Sequence, residues 1–532
     1  MTQLLWNTSQ KLRELLCELV SWNSITLTDG EREFAPKLLE KIREIEYFKN
    51  HPSQLQMHDA GLGRQAVTAL YKHPEATETV VLISHFDTVQ TEEYGTLEPL
   101  AYFPEELTKV LMENPSELPE GARADLETGK YLFGRGTMDM KMGLALHMQL
   151  IEKATFEEWP INLILTSVPD EEVNSAGMRA AVTQLVRLRE EFGLNYKLFL
   201  NSEPSFSQNP TDIDEYIYSG TIGKIMPAAL FYGKETHVGE PMKGMTANYI
   251  ASFLTQRMEF NPLFTEKDLG ESTPLPVSLQ QKDLKMSYST QTPYRAVALY
   301  NVFLFKRTAK EIMDLFEQVA NEAMTELNQT YKNICEREHV KGVGQVKVLK
   351  YEELLAYANK KLGEEEVLRL KQEALLDEEW DDREKSLRIV DSLMIQCQEL
   401  APATVLLFAP PYYPAVNTSH DSIIKNAVEL MKKSAKSFDN TVKQVHYFNG
   451  ICDLSYVNYE DEGNGWTSFE SNTPVWGDTY SIPFGDMAEL KGPVLNVGPF
   501  GKDAHQKTER LHIDSAFVEM PVMLETLIKS LY

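Results

Sequence analysis

Five short segments of this sequence carry the residue types that metal-assisted hydrolysis needs. SHFDTV (84–89) holds His85 and, two positions on, Asp87. An imidazole can bind a cation, and a nearby carboxylate can orient the ring or raise its basicity. H-x-D alone is a weak signal, because it recurs by chance. GRGTMDMKMG (134–143) sets Asp139 just before a helix-like run, where the plain alternative is a helix cap. PDEEVNSAG (169–177) puts Glu171 beside Glu172. Adjacent acids in a loop are ordinarily just solvated. At the end of a buried strand their side chains diverge, so one could bind a cation while the other handles a proton. NSEPS (201–205) offers Glu203, and GKDAHQKTE (501–509) offers His505. Together, two histidines and three carboxylates, with Glu171 and Asp87 beside them, suffice for a dinuclear centre. Nitrogen and oxygen donors without thiolate suit zinc, with cobalt or manganese also compatible. Two cations about 3.5–4 Å apart can share a hydroxide and clamp a carbonyl oxygen.

Strand-like runs lead into three of these segments. TVVLISHFD (79–87), INLILTSVPDEE (161–172) and KLFLNSEPS (197–205) read as buried strands that end in polar groups. Residues 140–153 read as a helix, with Met142, Leu144, Leu146 and Leu150 among its apolar positions. Leu12, Leu15, Leu16, Leu19 and Val20 predict an amphipathic helix near the start. Alternating strands and helices predict an α/β domain with a mostly parallel, mixed sheet flanked by helices. Such sheets place their sites past the carboxyl ends of the strands. The texture changes near residue 218 and returns near 418. The expected organisation is a catalytic domain of 1–217 and 418–532 with an inserted α+β domain of 218–417. Within the insert, 352–400 is charge-rich and helical in pattern; its plain reading is a solvated helical face.

A chain of 532 residues is long enough for two or three domains. The formal net charge is −27 and no basic stripe is present, which argues against a nucleic-acid partner. The acidity is read as solubility. Cys17, Cys335, Cys397 and Cys452 are scattered, with no C-x-x-C pair, so a disulfide framework is not expected and a reducing compartment is. No basic leader with an apolar run opens the sequence, and no segment nears the roughly 20 apolar residues that span a bilayer. The expected location is the cytoplasm, without membrane contact. A G-x-S-x-G elbow is missing, which disfavours serine-hydrolase chemistry.

The ordered set SHFDTV, GRGTMDMKMG, PDEE, NSEPS and GKDAHQKTE resembles the zinc-dependent peptidase and deacylase family of aminoacylase, glutamate carboxypeptidase, dipeptidase V, tripeptidase T and succinyl-diaminopimelate desuccinylase. ELVSWNSITLTDGE (18–31) is similar to the family's usual start. The motifs cover most of 15–250 and about 445–512. Length and an enlarged middle make the chain similar to the arginine-utilisation protein RocB group in particular. The resemblance implies a role for each position. His85 and Glu203 would bind one metal, Glu172 and His505 the other, and Asp139 would bridge them. Asp87 would support His85, and Glu171 would be the general base. GKETHVGEPMKGMTAN (233–248) looks like the family's lid motif, so His237 would contact the oxyanion, in dimeric members across to the partner subunit. The implied activity is hydrolysis of an amide bond in a small peptide or N-acyl amino acid, with an arginine- or ornithine-related substrate and a homodimer through the lid. The alternative is an inactive member that binds an amino acid or a partner protein. It is disfavoured because every expected ligand and the base are present. There are departures: Ser84 stands where the family usually has Gly, and in GICDLS (450–455) Cys452 and Ser455 replace its Thr and Arg. The second change puts the usual substrate preference in question.

Overall fold

The computed structural model describes residues 4–208, 214–461, 463 and 465–532. They form two compact units, Met1–Thr221 with Val416–Tyr459 and Pro483–Tyr532, and Ile222–Ala415 with Glu460–Ile482.

The first unit is built on an eight-stranded mixed sheet. Its centre is Glu78–His85 (β1), flanked in parallel by Asn162–Val168 (β2) and Asn195–Asn201 (β3). All of β2 and nearly all of β1 is buried, so both read as continuous apolar runs rather than alternating ones. Val494–Asn496 extends the sheet in parallel beyond β3, and Gln65–Tyr71 pairs antiparallel with β2. Helices pack around the sheet. Ser9–Ser21 (α1) buries the five residues its spacing marks, Leu12, Leu15, Leu16, Leu19 and Val20, and the Thr8 hydroxyl caps it by accepting from Lys11 N–H. Met142–Glu157 (α2) is buried almost all round, and Ala176–Phe192 (α3) follows the two adjacent glutamates. α2 starts two residues later than the sequence pattern predicts, because Thr137–Lys141 forms a wide turn with non-helical backbone at Asp139 and Met140.

A second, four-stranded sheet of very short strands lies in the same unit. Its order is Tyr131–Phe133, Arg510–His512, Phe500–Lys502, Ser205–Phe206.

The second unit is α+β. Its five-stranded sheet runs Val277–Asp283, Arg295–Leu304, Gly223–Tyr232, Ala403–Tyr413, Lys347–Lys350, antiparallel except for the last pair. Ala247–Met258 and the long Ala309–Arg337 pack together, the latter opened by a Thr308/Glu311 capping box. The charge-rich stretch forms three helices, Tyr351–Leu362, Glu364–Leu375 and Asp382–Gln396. They bury Leu354, Val367, Leu370, Leu387, Val390 and Leu393. Most of the charges lie at the surface, Asp391 being buried against Arg295, and each helix also carries a core stripe.

The unit boundaries differ from the expected 217/218 and 417/418 by a few residues. Glu460–Ile482 also lies with the second unit, not the first. The reason is aromatic packing. Phe469 stacks on Phe408 and lies against Tyr412, and the Tyr480 hydroxyl accepts the Tyr412 N–H.

Candidate metal centre

The three central strands deliver candidate residues at one end. His85 is the last residue of β1, Glu171 and Glu172 follow β2, and Glu203 follows β3. Parallel pairing in register puts these strand ends side by side. The short four-stranded sheet adds the rest. Asp139 comes after Tyr131–Phe133, Glu203 precedes Ser205–Phe206, and His505 sits in the loop between Phe500–Lys502 and Arg510–His512.

Two groups of donor atoms result, His85, Asp139 and Glu203, and Asp139, Glu172 and His505, with the donor atoms of each within 4.8 Å of one another. His85 Nε2 is 3.3 Å from both Asp139 Oδ1 and Glu203 Oε1. His505 Nε2 is 3.1 Å from both Asp139 Oδ2 and Glu172 Oε2. Asp139 therefore gives one oxygen to each group. It is not a helix cap: α2 begins after Lys141, with no side-chain cap. Bond lengths of about 2.0–2.1 Å in a tetrahedral zinc site imply ligand atoms about 3.3 Å apart, the spacing seen here. The donor set and its spacing thus fit a pair of divalent cations.

Asp87 organises the centre from behind. It is fully buried. Its carboxylate lies 3.4 Å from His85 Nδ1, and its carbonyl 3.1 Å from the same atom. A proton held there leaves the Nε2 lone pair facing Asp139 and Glu203. The same carboxylate accepts the Glu171 N–H at 3.0 Å, the Glu172 N–H at 3.3 Å and the Thr26 hydroxyl at 2.8 Å. One side chain thus fixes an imidazole and the loop of both glutamates.

Electrostatics point the same way. Burial and the neighbouring Asp139 and Glu172 push Glu203 up to about 8, against the pull of His85. Burial, Glu203, Asp453 and Glu172 raise Glu171 well above the carboxylate range. Burial disfavours a charged His505, but its bonds to Asp139 and Glu172 outweigh that and push it up to about 11. Glu171 and Glu203 thus hold their protons even beside His85, and a bound dication would favour their charged form.

The fold brings together every candidate residue except His237. That residue belongs to the second unit, in the segment between Gly223–Tyr232 and Ala247–Met258. It is exposed, bridged to Gln291, and its Nδ1 accepts the Gly239 N–H. Cys452 and Ser455 are buried in the first unit, the Cys452 thiol bonded to Thr221.

Several residues of the centre were not singled out from the sequence. Asp453 is buried, and its charge acts on Glu171. Asp170, one residue before Glu171, has a left-handed φ of +66°. Its carboxylate pairs with buried Arg64 at 2.7 Å and accepts the Ala176 N–H. Buried Arg135 pairs with buried Glu509 at 2.7 Å. The available signal was a charge inside an otherwise apolar or glycine-bounded run, as with Arg135 in GRG.

The sequence model of peptidase family M20/M25/M40 matches residues 81–460. Protein YqjN of Bacillus subtilis (strain 168) is 40% identical over 99% of this chain and 97% of its own. Protein RocB of the same organism is 30% identical over 98% and 94%. A solved M20 family metallo-carboxypeptidase, Sso-CP2 from Sulfolobus solfataricus, shares the fold at a TM-score of 0.53 and 13% identity, covering 97% of this chain and 98% of that one. The di-peptidase Dug1p of Saccharomyces cerevisiae does so at 0.53 and 9%, covering 98% and 95%. With the family match spanning well over half of the chain and two relatives aligned along nearly all of it, the chain belongs to peptidase family M20/M25/M40.

Proposed function

We propose that the chain hydrolyses an amide bond in a small peptide or N-acyl amino acid, using two zinc ions. His85, Asp139 and Glu203 would hold one ion, and Asp139, Glu172 and His505 the other. The observation that carries this reading is Asp139, whose two oxygens face one imidazole each at 3.3 and 3.1 Å. Bound there, the ions would supply Lewis-acid polarisation of the scissile carbonyl and acidify the attacking water.

The chain's own residues do the rest. Glu171 Oε2 lies 3.9 Å from His85 Nε2, beside the candidate donors but outside both groups. It takes the proton from water and returns it to the leaving amine, a transfer worth about 10²–10⁴-fold. Asp87 keeps His85 in the tautomer that presents Nε2 and holds the Glu171 backbone. In this reading the second unit is a lid, and His237 donates to the developing oxyanion when it closes. Dimerisation through the second unit belongs to the same reading, with its edge strand Val277–Asp283 exposing Leu279. Similarity to RocB motivates an arginine- or ornithine-related substrate. The free thiols, and a set of described helices none of which is long and apolar enough to cross a membrane, support a cytoplasmic location.

The test is a hydrolysis screen of dipeptides and N-acyl amino acids, arginine- and ornithine-containing ones included. It is run with zinc, cobalt or manganese and repeated with chelator. Chelator-sensitive amide cleavage is the expected result. Metal-replete protein that cleaves none of the panel, or cleaves equally well with chelator, would overturn the assignment.

A further inference from the structure

The loop Asp503–Glu509 carries His505, and it is the part of the centre least able to hold its own shape. The His505 side chain is 48% exposed, whereas those of the other candidate donors are 11% or less. Asp503 and His505 have φ of +58° and +63°. That left-handed backbone costs a non-glycine residue energy and persists only where the surroundings fix it.

Two buried arginines do the fixing. Arg510 closes the loop. Its Nη1 donates to the Thr508 carbonyl at 2.9 Å and to the Asp503 carboxylate, which also accepts the Thr508 hydroxyl at 2.7 Å. Its Nε and Nη2 reach Asp125 Oδ2 at 2.9 and 2.8 Å. Arg135, from the turn that leads to Asp139, donates through Nη1 to Glu509 Oε2 at 2.7 Å. Its Nη2 donates to the Gln90 carbonyl at 3.2 Å and to the Glu93 carboxylate. The Glu509 carbonyl accepts the Gly134 N–H at 3.1 Å. The turn of Asp139 and the loop of His505 are thus joined by a side-chain and a backbone bond. Both guanidiniums make several directed bonds at once, which a planar fork does and an ammonium does not. In the other donor group His85 ends β1, with Asp87 behind its ring, and Glu203 comes two residues after β3, so strands rather than an arginine-tied loop carry both.

Resting on the metal-centre reading above, we propose that Arg135 and Arg510 are positioning residues for the cation held by Asp139, Glu172 and His505. Occupancy of that group depends on them far more than occupancy of the His85, Asp139 and Glu203 group, which shares only Asp139 with it.

The test is calorimetric titration of metal-free protein with Zn²⁺ or Mn²⁺, with stoichiometry checked by native mass spectrometry. Wild type is compared with Glu509→Gln, Arg135→Lys and Asp503→Asn, with His505→Ala as the reference for a lost second ion. Asp503 is partly exposed, so Asp503→Asn keeps the test open if a buried variant does not fold. Wild type is expected to take two ions. Each variant should bind one ion nearly as wild type does and the other about 10–100-fold more weakly, the range for groups that orient a ligand. Excess cation should restore the second. Variants that bind both ions like wild type, with only thermal stability lowered, or that weaken both ions equally, would overturn this inference alone. A wild-type protein that binds no divalent cation would sink the metal-centre reading and this inference with it.

Discussion

Glu171 and Glu172 are adjacent and chemically identical, so only geometry can divide their labour. Glu172 Oε2 lies 3.1 Å from His505 Nε2, among the donors of one group. Glu171 belongs to neither group, and burial together with Glu203, Asp453 and Glu172 holds its pKa well up, as suits a carboxylate that must accept a proton and give it back. Glu171→Gln should therefore keep both metals and still bind substrate, yet lose about 10²–10⁴-fold in kcat. Glu172→Ala should lose a metal and activity together. Metal analysis beside steady-state kinetics, on a substrate found in the screen, separates the two. A Glu171→Gln protein with full metal and near wild-type kcat would show that another group moves the proton. The candidate donors stood out in the sequence as an ordered set of motifs, each ambiguous alone, and their roles came from the family resemblance. Asp453, Arg64 and Arg135 did not stand out. Their partners lie far off in the chain, and a lone charge there reads as surface.

Three of the donors hang on strands of two or three residues. Those strands carry too few positions to show alternation, so the four-stranded sheet was invisible in the sequence, whereas the seven- and eight-residue runs of β1, β2 and β3 were plain. Its tight packing beside β3 gives a test. A Cβ on Gly498 would fall 2.2 Å from the Glu203 carbonyl oxygen and 2.5 Å from that of Ser202. Backbone cannot swing aside as a long side chain can, so Gly498→Ala must shift the Glu203 segment or its own. Overpacking of this kind costs about 1–3 kcal/mol. The expected outcome is a lower Tm and weaker binding of the cation that Glu203 helps hold, read by calorimetry. Unchanged cation affinity would show that the Gly498 segment yields and Glu203 stays.

The molecule carries a formal charge of −27 and buries several of its carboxyls. Burial, first of all, raises Glu31 and Glu203 to about 8 and Asp453, Glu215 and Glu509 to about 7. Such a group keeps its proton in the folded state at a pH where the unfolded chain has lost it. The stability it contributes is full below about 4.5 and is lost as pH rises toward 7–8, by about 1.4 kcal/mol per pH unit for each proton. His505, raised to about 11, acts in the same direction above its ordinary 6.5. Chelator-treated protein should therefore melt at a lower temperature at pH 8 than at pH 6. Added divalent cation should oppose the trend, because its binding displaces the protons of Glu203 and His505 and so tightens as pH rises. Scanning calorimetry at both pH values checks this, and a chelated protein equally stable at the two would contradict it. The division into two units was legible as a change of texture near 218 and 418. The return of Glu460–Ile482 to the second unit was not, since it rests on where Phe469 and Tyr480 find aromatic partners.

That return bears on how such a protein can be inherited. The chain changes units at 221/222, 415/416, 459/460 and 482/483. A domain looped out once can be gained or lost by one insertion or deletion. Here, removing 222–415 alone would strand Phe469 and Tyr480 without Phe408 and Tyr412. Cutting the chain back to its first unit would therefore take two coordinated excisions, 222–415 and 460–482.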